Sequence, residues 1–306
     1  MAEDVDGSVR IAAFDFLAEQ ARLHGEWWPP VLPRDMLAAG FAFHGQRVPL
    51  LGPQGIFKPA ILPRIPLSIT TTAPSLGKPA PYDDEFGYGR LVYRYRGTDP
   101  RHPDNIGLRE AMRAQKPLIY FHGIVPGRYL AVWPVFIVED TPDSLSFHVA
   151  FDPGDLVGVP ELLAEEDARR AYALRLVKQR LHQVGFRERV LTAYQRTCAV
   201  CRLRHEELLD ASHIIPDGRP RGDPIIANGV ALCKLHHSAF DANIIGIRPD
   251  LTVAVRADVL SESDGPMLVH GLQETHNHRI WVPRSHELQP GRDRLEERYA
   301  EFLQAS

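Results

Sequence analysis

The stretch ALCKLHHSAFDAN, residues 231–243, sets two histidines side by side. Neighbours on an α-helix point about 100° apart, so His236 and His237 cannot both ligate one ion. Each needs its own partners, and the spacing supplies two sets. Cys233 and His236 are three apart; His237 and Asp241 are four apart. On a helix each pair shares a face, and the two faces differ.

The first face finds its complement upstream, in Cys198-Ala-Val-Cys201. Together Cys198, Cys201, Cys233 and His236 form a Cys₃His set suited to tetrahedral zinc, and they use all three cysteines of the chain. Four protein ligands leave no open position, so this zinc is structural. Three cysteines are also too few, and too oddly numbered, for a disulfide framework. The second face, His237 and Asp241, offers an imidazole and a carboxylate with room for waters. That suits a catalytic divalent ion, Mg2+, Mn2+ or similar, able to bind a phosphate oxygen and neutralise charge on a leaving oxygen.

Upstream, Asp210-Ala-Ser-His213-Ile-Ile-Pro reads as a strand ending in a histidine; Asn228 follows 15 residues later and His237 nine after that. The order His213, Asn228, His237, with Asp241 beyond, resembles the HNH (ββα-metal) endonuclease motif over about residues 198–243. The resemblance implies a catalytic set of His213, Asn228 and His237. His213 is the general base that takes a proton from water, and Asn228 clamps the loop that orients it. Many relatives supply a further ion ligand from the residue before the base. Here that residue is Ser212, with Asp210 two back as the substitute, although a solvated or capping aspartate is the plainer reading. His205 reads as exposed and idle.

The first half of the chain has a different texture. Residues 8–24 have helical spacing, with Ile11, Phe14, Leu17, Ala18 and Ala21 on one stripe. From 30 to 150, proline and glycine separate short apolar-aromatic runs: GRLVYRYRG, KPLIYFHGIV, RYLAVWPVFIVED and SLSFHVAF. These read as strands of a compact barrel or sandwich, with one helix, IGLREAMRA, among them. Within this half, Tyr82-Asp-Asp-Glu-Phe-Gly-Tyr-Gly89 followed by a strand through Tyr95 resembles the SRA domain, which flips a modified cytosine out of duplex DNA. The resemblance puts Tyr82 and Tyr95 at stacking positions and Glu85 at the carboxylate position, with Asp84 as an adjacent competitor. A flipped cytosine needs such aromatic faces and an acceptor for its amino group.

The expected fold is α+β: an SRA/PUA-like barrel domain over 1–158, a basic helical linker over 159–190, and a zinc-stabilised ββα-metal nuclease domain over 191–306 with its core at 198–246. The linker reading rests on eight basic residues against one acid, Glu188, between Arg169 and Arg196. Such a run is a solvated face or a phosphate-contacting surface. The expected function is a modification-dependent DNA endonuclease that reads 5-methyl- or 5-hydroxymethylcytosine. The alternatives are an HNH nuclease with a sequence-reading front domain, or a zinc-containing nucleic-acid reader with a dead nuclease fold. The expected partner is double-stranded DNA carrying the modified base, with a homodimer as one route to a double-strand break. No run of about 18 apolar residues and no basic-then-apolar leader occurs, so the expected location is the cytoplasm, with no membrane partner.

Overall fold

The computed structural model describes residues 4–23, 29–73, 86–87, 90–151 and 183–305. The chain divides into two compact units, Met1–Leu181 and His182–Ser306. Among the described residues no helix is long and apolar enough to cross a membrane.

The first unit is built on one sheet. Its strands are β1 (Val31–Pro33), β2 (Ile56–Phe57), β3 (Ser68–Thr71), β4 (Phe86–Gly87), β5 (Arg90–Arg94), β6 (Leu118–Val125), β7 (Arg128–Thr141) and β8 (Ser146–Phe151). They run in the order β2-β3-β6-β7-β8-β5-β4, with β1 paired to β7. Among the described residues this path is open. All pairings are antiparallel except β3 with β6. The four long apolar runs of the sequence fall on β5 to β8, and α2 (Pro103–Arg113) contains the helix expected between them.

Helix α1 (Val5–Leu23) is where the sequence pattern predicts a helix, but a rotated face is inward. Val9, Arg10, Ala13 and Leu17 are buried, whereas Ile11 is 63% exposed. The reason is Arg10. Its guanidinium donates to the carbonyls of Pro66 and Pro117 and pairs with Asp6, so the charge has partners when that face docks. A buried, fully partnered guanidinium is tolerated where an unpaired one is not. Val9, Ala13 and Leu17 then pack with Ile119, Phe121, Ala131 and Trp133 of the sheet.

The second unit opens with α3 over 183–193, which runs unbroken through Gly185 and Phe186. Then come the antiparallel strands β9 (Leu209–His213) and β10 (Gly229–Cys233), and helix α4 (Lys234–Asp241). A short hairpin of β11 (Ile245–Ile247) and β12 (Val253–Val255) follows, and α5 (Arg292–Gln304) ends the chain. Leu295 of α5 enters the core with α3, both strands and α4. Gly246 is the close-approach point: a Cβ there would lie 2.7 Å from the Phe302 ring. The ordered pair β9-β10 and the helix after it are the frame on which both sets of candidate ligands are mounted.

Candidate metal and nuclease site

The Cys₃His cluster forms from three separate pieces of backbone. Cys198 and Cys201 lie on a turn whose Ala199 N–H donates to Ala231 of β10. Cys233 ends β10 and caps α4, and His236 is one turn into that helix. The four ligand atoms all lie within 4.8 Å of one another. Cys233 Sγ is 3.0 Å and Cys198 Sγ 3.6 Å from His236 Nδ1, and Cys201 and Cys233 sulfurs are 3.9 Å apart. Tetrahedral zinc with bonds of about 2.0–2.3 Å needs ligand separations of roughly 3.3–3.8 Å; the Cys198–His236 and Cys201–Cys233 spacings lie at or near that range, and the Cys233–His236 pair has only to open slightly. His236 Nε2 donates to the Gly271 carbonyl at 2.8 Å. That bond fixes the tautomer and leaves Nδ1 as the ligand, as metal-bound imidazoles require. Despite burial, the hydrogen bonds that the protonated ring donates to the Cys198 and Cys233 sulfurs push His236 up to about 10, so metal binding there displaces a proton.

The second set gathers around a cavity of about 340 Å³. His213, His237 and Asp241 all line it, together with Arg219, Arg298 and Glu301. His237 Nε2 is 3.3 Å from Asp241 Oδ2 across one helical turn. On the other side of the ring, His237 Nδ1 faces Asp210 Oδ2 at 3.6 Å, an ion-pair distance just beyond a hydrogen bond. Asp210 therefore meets the ring on the edge opposite Asp241. It also accepts from Lys234 Nζ at 3.1 Å and from the Ala211 N–H at 2.9 Å. Against the cost of partial burial, His237 and Lys234 hold its carboxyl well below the usual carboxylate range. Ser212 is fully buried, so it does not open on the cavity. His205 is exposed, as expected.

His213 is set by two devices. Asn228 is completely buried; its Oδ1 accepts from Ile215 N at 2.9 Å, and its Nδ2 donates to the carbonyls of Ile215 (3.0 Å) and Asp223 (3.2 Å). Those bonds clamp the loop that leaves His213. The second device is Phe186 of α3, stacked on the His213 ring at 3.9 Å and 19°. Gly229, opposite His213 in the strand register, makes room for it: a Cβ there would stand 2.4 Å from Val190 and 3.0 Å from Phe186. Burial pulls the His213 imidazole below the ordinary histidine range; Asp217 opposes this and His237 adds to it. The ring is thus neutral and able to accept a proton at neutral pH.

Sequence reading did not find Phe186, Arg298, Glu301 or Arg219 as neighbours of this cavity. Only its place as the aromatic immediately before the Arg187–Arg189 run could have signalled Phe186, and nothing in the spacing places a residue of α5 there. The basic run itself is reassigned where it is described. Arg187 donates to Leu209 O and pairs with Glu188, Arg189 donates to Pro224 O, and Arg196 pairs with Glu188 and Glu206. These arginines hold the unit together; Arg169, Arg170, Arg175, Lys178 and Arg180 lie outside the described residues.

Of the base-pocket residues, Tyr82, Asp84 and Glu85 lie outside the described residues. Tyr95 is 5% exposed, with the Phe147 ring 4.6 Å away and the Arg109 guanidinium 5.4 Å from its centroid. Its hydroxyl donates to Asp140 and accepts from Arg109. Tyr95 also borders a cavity of about 240 Å³, whose other walls include Gln54, Gly55, Thr70, Tyr93 and Arg96.

Residues 198–248 match the family described as HNH endonuclease, so the second unit carries an HNH endonuclease domain. No curated protein matches the chain. The solved structures similar to it include two restriction endonucleases. The modification-dependent TagI restriction endonuclease aligns over 78% of this chain and 82% of its own, at 16% identity and a TM-score of 0.31. The type IV phosphorothioation-dependent restriction endonuclease ScoMcrA aligns over 76% of this chain and 57% of its own, at 14% identity and a TM-score of 0.19.

Proposed function

We propose that the protein is a modification-dependent DNA endonuclease. Its first unit reads a 5-methyl- or 5-hydroxymethylcytosine flipped from the duplex, and its second unit hydrolyses a phosphodiester at a one-metal HNH site. The observation that carries the reading is the convergence of His213, His237 and Asp241 on one cavity inside a domain of that family.

His213 removes a proton from the attacking water, and its depressed pKa keeps it unprotonated for that task. Asn228 and Phe186 fix the ring against the cavity. His237 and Asp241 would hold the divalent ion, which when bound would stabilise negative charge on the phosphate and the departing 3′ oxygen. Asp210 orients His237 through Nδ1 and leaves Nε2 for the ion. Cys198, Cys201, Cys233 and His236 would hold a structural zinc, which would fix the start of the same helix. For the base, the 240 Å³ cavity beside Tyr95 supports the reading, with Tyr82 as the second stacking face and Glu85 or Asp84 as acceptor. The front unit as an SRA-like barrel belongs to the same proposal. One such site cuts one strand, so a double-strand break takes two protomers or two successive events.

The test uses Mg2+, Mn2+ or Co2+ with matched plasmids that are unmodified, 5-methylcytosine-bearing or 5-hydroxymethylcytosine-bearing. Cleavage confined to modified plasmids is expected. Equal cleavage of all three discards the base-reading role and leaves the nuclease.

Proton competition gives a further expected result. The Asp210 carboxylate raises the His237 pKa against the opposing effect of burial, with Asp241 adding to the rise. His237 must lose that proton to bind the ion, so cleavage falls as pH drops through the raised value. More Mn2+ then moves the acid limb of kcat/KM to lower pH. An acid limb that ignores Mn2+ concentration removes His237 from the ion site.

A further inference from the structure

Helix α5 buries Leu295, Arg298 and Phe302, and turns Asp293, Glu297 and Glu301 to a neighbouring stripe four residues apart. That acidic stripe meets the loop between β9 and β10. Glu301 Oε1 is 2.6 Å from Arg219 Nη1, and Glu297 Oε2 is 3.0 Å from Arg221 Nη1, with Asp293 paired to the other arm of Arg221. Both arginines are about half exposed. Arg219 and Glu301 are also walls of the nuclease cavity, beside His213 and His237. The buried Arg298 guanidinium approaches Glu301 Oε2 at 3.5 Å and donates to Phe240 O at 2.6 Å, which anchors Glu301 at the end of α4.

We propose that Arg219 and Arg221 are the contacts of the nuclease unit to the DNA backbone, and that the acidic stripe of α5 occupies them until phosphates replace it. This rests on the reading of the unit as a DNA nuclease. Three features carry it. Arg219 lines the cavity that must admit a phosphodiester, and Arg221 follows two residues later on the same loop. Their present partners are carboxylates, which offer a guanidinium the same paired oxygens as a phosphate. And the loop is shaped to present them: Arg221 holds a left-handed backbone at φ +70, where a side chain is disfavoured, and Gly222 is closed against Pro216, whose carbonyl a Cβ would meet at 2.2 Å. The described arginines of the neighbouring run are committed to carbonyls and carboxylates inside the unit, so the loop pair is the better-placed surface.

The exchange predicts opposite effects from the two sides. Binding of an unmodified duplex is followed by fluorescence anisotropy across a salt series in the His213→Ala background, which prevents cutting. Arg219→Ala/Arg221→Ala is expected to lower the slope of log K against log salt by about 2, since each phosphate contact contributes about 1. Arg219→Lys/Arg221→Lys keeps the slope. The triple variant Asp293→Asn/Glu297→Gln/Glu301→Gln binds several-fold more tightly and, with His213 restored, nicks faster at low DNA concentration. Exposed ion pairs contribute little to stability, so these variants keep their zinc and their fold. A wild-type salt slope in the double alanine variant overturns the assignment of the arginines. A triple variant that binds no better overturns the occupancy by α5. A wild-type chain that neither binds nor cuts DNA is a different failure, that of the nuclease reading itself.

Discussion

Replacing Cys198 by serine is expected to abolish cooperative folding of the second unit and to take its zinc with it. Cys198 is completely buried, on a turn tied to β10 by Ala199 and to the later chain by the Trp281 N–H bonded to Ala199 O. The cluster joins that turn to the end of β10 and the start of α4, the helix that carries His237 and Asp241. Without metal, the buried thiols of Cys198 and Cys233, the exposed thiol of Cys201 and an imidazole with a raised pKa are left crowded together. A structural zinc of this type contributes on the order of 10–16 kcal/mol of apparent binding free energy, comparable with the about 5–15 kcal/mol that stabilises a whole domain. The measurement is zinc content with limited proteolysis. One zinc per wild-type chain, none in the Cys198→Ser variant, and selective digestion beyond residue 182 are expected. A variant that resists proteolysis and stays folded without zinc removes the metal from the account of this fold.

The ligand chemistry was legible because metal sites constrain residue type and spacing together. Two cysteines three apart, and a cysteine and a histidine three apart on a helix, leave few other uses, and the donor atoms meet where that spacing predicts. His213 and Asn228 were legible through the resemblance to the HNH motif, which implies a histidine at a strand end and an asparagine that clamps the loop after it; the structure puts His213 at the end of β9 and bonds Asn228 to that loop. Residues that act by packing were not. Phe186 reaches His213 only because Gly229 leaves a gap across the register, a fact of three dimensions with no local pattern. Arg298 was hidden by the apolar stripe around it. The structure turns Arg298 inward to the Phe240 carbonyl and leaves Tyr299 half-buried against Phe302. Helix α1 shows the same limit, since Arg10 found carbonyl acceptors that hydrophobic spacing cannot represent.

His213→Ala is expected to lower the cleavage rate by about 10²–10⁴-fold, the usual contribution of a general base, with duplex binding and zinc content unchanged. The side chain is only partly enclosed and lies at the end of β9, so its loss leaves the Cys₃His cluster and the Asn228 clamp in place. What the variant lacks is the one neutral imidazole that both lines the cavity and stands apart from the ion pair of His237 and Asp241. The described residues of the cavity hold other oxygen acceptors, Asp217, Asp241 and Glu301, of which Asp241 faces His237 Nε2 and Glu301 is engaged by Arg219. The pH profile separates these possibilities. If His213 is the base, the residual activity of the variant rises with pH as hydroxide replaces the missing group. If a carboxylate is the base, the variant keeps both the rate and the profile of the wild type, and the depressed imidazole stacked under Phe186 is then a packing element of β9 rather than a catalyst.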